Sequence, residues 1–104
     1  MTIKEFFESN IKLAIRCRTK DKANLLCLLF DKAGYRWADK ITRYTKTNNY
    51  ERYDSNTCYT NHNTFSDVGY LINVGYKILE FKDIEIEVKL WNVDYVVQKE
   101  IYLK

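Results

Sequence analysis

A chain of 104 residues and 12.5 kDa accommodates one domain. With 46% hydrophobic, 30% charged and 15% aromatic residues, three glycines and no proline, the composition excludes disordered, collagenous and low-complexity classes. The formal charge of +3 divides unevenly: residues 1–53 carry 12 basic and 6 acidic side chains, whereas residues 54–104 carry 5 and 8.

In chain order, residues 2–8 predict a short helix. Thr2 and Glu5 stand at capping-box spacing, and Phe6 and Phe7 supply its apolar anchor. Ile11, Leu13, Ile15 and Cys17 alternate with Lys12, Arg16 and Arg18, which predicts a strand with one buried and one basic face. Thr19 then caps the main helix, with Asp21 in its first turn. Its apolar stripe is Ala23, Leu26, Cys27, Phe30 and Ala33, widened by Leu29, and Gly34 ends it.

A strand is expected from Tyr35-Arg36-Trp37, resumed over 41–44, before a polar loop over 45–56. Residues 57–60 predict a short strand, and Asn61-His62-Asn63 a turn. Ser66 or Asp67 caps a short helix that runs to Asn73, Gly75 closes it, and 76–82 returns as a strand. Ala33-Gly34-Tyr35-Arg36-Trp37 and Val74-Gly75-Tyr76-Lys77-Ile78 share one pattern, helix end, Gly, Tyr, base, apolar strand. Two such units suggest two helix-to-strand connections on one sheet. From Ile84 onward apolar and charged residues alternate through Leu90, turn at 91–94 and return over 95–103. This predicts a β-hairpin over 84–103, and its exposed edge makes it the expected homodimer contact.

The expected fold is therefore a single small α+β domain, residues 1–104. It has a mixed or antiparallel sheet, one main helix, one or two short helices and a C-terminal hairpin. No apolar run reaches the ~18 residues of a membrane span, and the N-terminus carries acid too early for a signal peptide. A cytoplasmic location with no membrane partner is the expectation. Cys17, Cys27 and Cys58 form an odd set without CxxC spacing, so they read as reduced and buried.

Catalytic and metal-ligating residues are sparse. His62 is the sole histidine, and Cys58 is its nearest thiol. That pair alone supplies neither a metal site nor an oriented nucleophile, and no Gly-rich phosphate motif is present. The expectation is no catalysis, no metal and no cofactor. Binding chemistry is richer. Residues 35–59 interleave six aromatics with Arg36, Lys40, Arg43, Lys46 and Arg52. Aromatic faces stack on bases or on protein side chains, and Arg and Lys neutralise phosphate. The candidate binding residues are Arg36, Arg43, Tyr44, Tyr50, Arg52 and Tyr53. The same spacing also fits alternate aromatics in the core with solvated bases between them.

Lys, Asn, Ile and Tyr, all read from A/T-rich codons, make up 39 of the 104 residues. The order Lys12-Leu13-Ala14-Ile15-Arg16-Cys17, helix, Gly34-Tyr35-Arg36-Trp37, spaced tyrosines, Thr57-Cys58-Tyr59, Gly75-Tyr76-Lys77-Ile78-Leu79-Glu80-Phe81 and Asp83 resembles small accessory proteins of bacteriophages and prophages of AT-rich Gram-positive bacteria. The likeness covers roughly residues 1–84. Ala38-Asp39-Lys40 departs from it, since members often carry a small residue or Gly shortly after the tryptophan. Such proteins often act by binding. The resemblance implies an anti-defence inhibitor, anti-CRISPR-like, whose partner is a host defence protein such as a CRISPR effector. The alternative is a nucleotide or nucleic-acid binding module, such as a sponge for a cyclic-nucleotide immune signal.

Overall fold

The computed structural model describes residues 1–85. The expected hairpin over 84–103, and the homodimer contact placed on it, lie outside these residues except for Ile84 and Glu85. The described residues form a mixed four-stranded sheet with helices on both faces, an α+β domain.

Helix α1 (Ile3–Glu8) starts where the spacing predicts. Thr2 Oγ1 accepts from the Glu5 backbone N–H at 3.1 Å, and Glu5 returns a carboxylate to the Thr2 N–H at 2.9 Å. These bonds hold the Glu5 carboxyl below its ordinary range. Strand β1 (Leu13–Arg16) leads to α2 (Lys20–Lys32), which is capped by the Thr19 side chain. After a long connection come β2 (Thr57–Thr60), β3 (Phe65–Asp67), α3 (Val68–Asn73) and β4 (Lys77–Glu80). Asp67 caps α3 through the Gly69 and Tyr70 amides.

The sheet runs β3-β2-β1-β4, antiparallel except for the parallel pair β1 and β4. Ile15 stands opposite Tyr59 on one side and Leu79 on the other. On that face α1 and α2 close the main core, in which Phe6, Leu26, Phe30, Tyr44 and Tyr59 are fully buried. Phe30 stacks on Phe6 at 6.0 Å and meets Tyr44 edge-on at 4.9 Å. On the opposite face Leu71 of α3 packs over Ala14 and Cys58, with Ile78 and Tyr76 beside them.

Both helix-terminal glycines close Schellman motifs. At Gly34 (φ 91°) the Gly34 amide donates to Asp31 and the Tyr35 amide to Phe30; at Gly75 (φ 94°) the same two bonds run from Gly75 to Ile72 and from Tyr76 to Leu71. The echo read in the sequence is thus a repeated helix ending. Only its second copy continues into a strand.

Three expectations are corrected. First, residues 35–44 form no strand; a single bridge joins Arg36 to Arg43. Asp39 takes up the Ile41 and Thr42 amides, each at 2.8 Å, and Lys40 adopts φ 65°, so the chain bends tightly and offers no ladder. Second, the far face of β1 is not a solvated basic face. Ala14 is buried beneath α3, and Arg16 turns aside to the Ser55 carbonyl and the Asn56 side chain, while Ile11 stays outside and exposed. Third, β4 ends at Glu80 because 81–83 tightens into a 3₁₀ turn; of the two cap candidates for α3, Asp67 takes the role, as expected, and Ser66 lies within β3.

Candidate binding surface

The connection over 33–56 holds no helix or strand apart from two 3₁₀ turns, Tyr50–Arg52 and Asp54–Asn56. Its course is nonetheless fixed at many points. Asp31, near the end of α2 and almost fully buried, receives the Arg43 guanidinium as a fork, Nε at 2.9 Å and Nη2 at 2.7 Å. Arg36 adds a contact at 3.4 Å and bonds the Tyr35 carbonyl at 2.8 Å. The Arg43 hydrogen bonds hold the Asp31 carboxyl below its ordinary range, against the opposing effect of desolvation.

Aromatic anchors follow. Trp37 is buried against Tyr44 at 4.2 Å, and its indole N–H donates to the Thr47 carbonyl at 3.1 Å. The Tyr44 hydroxyl donates to Asn63 Oδ1 at 3.1 Å, and the Tyr59 hydroxyl to the Asn48 carbonyl at 2.6 Å. Thr57 Oγ1 donates to the Tyr50 carbonyl at 3.1 Å, and Asn48 bonds Asn24 of α2. The loop is therefore tied to α2, to β2 and to the 61–64 turn.

These anchors decide the fate of the candidate residues. Tyr44 is fully buried and Tyr50 nearly so, so their rings pack in the core rather than face a ligand. Burial pushes both phenols above their ordinary range. Arg36 and Arg43 are joined at Asp31, although 63% of the Arg43 side chain remains exposed. Tyr53 is half-buried with its ring 6.1 Å from Phe65, and Arg52 is exposed. What the loop presents outward includes Lys40, the 80%-exposed Ile41 at its tip, Lys46 and Arg52, together with the acids Asp39, Glu51 and Asp54.

Two open clefts border the loop. One, of about 370 Å³, lies between Lys20 at the start of α2 and residues 45–52; Lys46 and Arg52 line it. Lys20 there pairs with Glu51 at 3.0 Å, while Lys46 and Arg52 make no ion pair among the described residues. The second, of about 470 Å³ and mainly apolar, is lined by Trp37, Phe65, Thr42, Asn49, Asn63 and neighbours. Trp37 meets Phe65 edge-on at 5.7 Å. Asn49 borders both clefts. Asn49 and Asn63 both adopt left-handed backbone conformations, φ 58° and 62°. Asn49 Oδ1 accepts from Thr47 and Asn63 Oδ1 from Tyr44, so both amide NH₂ groups lack a protein partner among the described residues. The composition of 35–59 signalled aromatics and bases, but Phe65, Asn49 and Asn63 carried no signal beyond turn propensity.

Cys17, Cys27 and Cys58 are free and buried. Desolvation pushes the Cys27 and Cys58 thiols up to about 12 and raises Cys17 as well. Cys58 donates weakly to the Asn56 carbonyl at 3.8 Å, whereas His62 Nδ1 shares a 2.7 Å hydrogen bond with the Tyr76 hydroxyl. Thiol and imidazole therefore have separate partners. Among the described residues no three His, Cys, Asp or Glu side chains gather as metal ligands. No helix among them is long and apolar enough to cross a membrane.

Fold and surface together define a small α+β domain with a mixed sheet and one long, internally anchored loop. No family model, no curated protein and no solved structure matches the chain.

Proposed function

We propose that this chain is a phage-encoded anti-defence protein that inhibits a host immune effector by binding it, without catalysis, and that 33–56 is its contact surface. The observation that carries this reading is the anchored loop. Connections longer than about 12–15 residues without secondary structure are uncommon in compact domains and are usually functional or disordered. This one spends Trp37, Tyr44, Tyr50 and the Asp31–Arg43 fork on holding its shape. Ordering those groups in the free protein removes an entropy cost from association. The exposed Ile41 then supplies an apolar contact, and the excess of bases over acids in 33–56, five against three, favours an acidic partner surface.

Expression of the chain in a Gram-positive host with an active CRISPR defence tests the reading. Phage plating should rise in the presence of the wild-type chain and return to the defended level with Ile41→Asp. Unchanged plating against CRISPR and the other defences of that host would remove the anti-defence reading. A nucleotide or nucleic-acid ligand is the second reading, favoured by the two clefts that meet at Asn49.

A further inference from the structure

The geometry points to the outer edge of β4 as the docking site of the chain's own residues 86–104. Strand β4 lies at one end of the sheet, so among the described residues it has β1 as a neighbour on one side only. The Lys77 amide donates to the Lys12 carbonyl at 2.9 Å, which turns the backbone groups of Lys77 and Leu79 toward β1 and those of Ile78 away from it. The next outward amide, that of Glu80, is taken by Asp83 Oδ2 at 3.3 Å. Ile78 is thus the β4 residue whose N–H and C=O both lack a partner among the described residues. Side-chain burial shows the same shortfall. Ala14 and Ile15 of β1, which has a neighbour on each side, are fully buried. Their register partners Ile78 and Leu79, on the two faces of the sheet, are only half-buried. One further strand beside β4 would pair Ile78 and cover both side chains.

Residues 86–104 suit this edge in position, length and chemistry. The 3₁₀ turn Phe81–Asp83 brings Ile84 back into the main core, and Glu85 is held beside Thr2, its amide donating to the Met1 carbonyl at 2.7 Å. Residue 86 therefore starts within about 20 Å of Glu80, the reach of six residues. Strand β4 has four residues and spans about 13 Å, far less than nineteen residues can cover. Eleven of those nineteen are hydrophobic, six of the eleven are β-branched, and none is Gly or Pro. Ile84 is buried and Glu85 exposed; Ile86, Val88 and Leu90 continue the apolar row that Ile84 begins, with Glu87 and Lys89 between them. A second copy would have to bring its strand from another molecule, whereas 86–104 is tethered beside the edge at high effective concentration. The contact is internal to the fold, so it stands independently of the partner proposed for 33–56.

NMR of the isotope-labelled full chain provides the test. The Ile78 amide should exchange with deuterium about 100-fold or more slowly than an open amide, and it should show nuclear Overhauser contacts to a residue of 86–104. The double variant Ile86→Ser/Val88→Ser should speed exchange at Ile78 by about tenfold or more, while the Ile15 amide at the centre of the sheet stays protected and reports that the domain is folded. Glu87→Ser/Lys89→Ser keeps the apolar row and should leave Ile78 protected. Exchange of the wild-type Ile78 amide at the open rate would overturn the proposal. So would protection without a contact to 86–104, or protection that survives Ile86→Ser/Val88→Ser unchanged. An equal mixture of labelled and unlabelled chain identifies the source of the contacts. Contacts within one chain support the proposal; contacts from a second copy overturn it and make the β4 edge a dimer interface.

Discussion

Asn61→Ala tests the packing logic of the domain most sharply. Asn61 sits in the turn after β2 and is almost fully buried. Its Oδ1 accepts from the Leu13 amide at 3.1 Å, and its Nδ2 donates to the carbonyls of Phe6 at 3.2 Å and Ile11 at 2.9 Å. One side chain therefore satisfies the last turn of α1, the link to β1 and the first amide of β1. An alanine there removes three hydrogen bonds worth about 1 kcal/mol each and leaves three backbone groups without a partner. Because two of the three sites are buried, desolvation adds to the loss, and about 3–5 kcal/mol is expected. That is a large share of the roughly 5–15 kcal/mol that holds a domain of this size. In urea the midpoint should fall by about 2 M at the slopes usual for small proteins. Asn61→Asp separates the roles. It keeps the acceptor for Leu13 but turns an anionic oxygen toward two carbonyls, which raises the folded-state pKa of the new carboxyl. Its stability should then be greatest below the ordinary aspartate range and be lost as pH rises through that raised value. A loss below about 1 kcal/mol for Asn61→Ala, or a pH-independent Asn61→Asp, would refute the assignment of Asn61 as the clamp between α1 and the sheet.

Gly34→Ala and Gly75→Ala should each cost about 1 kcal/mol in chemical denaturation, because a methyl at either position meets no atom within 4 Å and only the positive φ is penalised. A neutral outcome would contradict the Schellman assignment. Acid unfolding should report the Asp31 fork. The folded-state carboxyl is held below its ordinary value of 3.8, so the stabilisation is present above that value and lost as pH falls through the lowered one. Asp31→Asn should flatten the stability curve below about pH 4; an unchanged slope would mean that the fork contributes nothing. The three thiols should react with Ellman's reagent only as fast as the protein opens, and at once in strong urea. Rapid native reaction of Cys58 would revive a catalytic role for it.

Much of the fold is legible because local chemistry and tertiary need coincide. Thr2, Thr19 and Asp67 cap, Gly34 and Gly75 terminate, and the stripe from Ala23 to Phe30 faces the core. Residues 35–44 misled because their apolar pattern suits a strand, while Asp39 binds the amides a strand would offer. Ala14 misled in another way. A small residue between Leu13 and Ile15 looks neutral, yet Leu71, far along the chain, covers it. At the binding surface the residue types were legible and their directions were not. Tyr44 and Tyr50 read as ligand contacts, but the space beside α2 took both rings into the core. Asn49 and Asn63 adopt left-handed backbones, which one-dimensional spacing does not encode.

The most direct test of the loop as a partner-binding surface is capture of a single host protein from a defended strain, with wild-type chain and with Ile41→Asp at matched thermal stability. Ile41 is exposed and its removal should leave the fold intact. The wild-type chain should retain one defence protein and the variant should lose it by about tenfold or more. Equal retention by both would place the contact elsewhere and contradict the role given to 33–56.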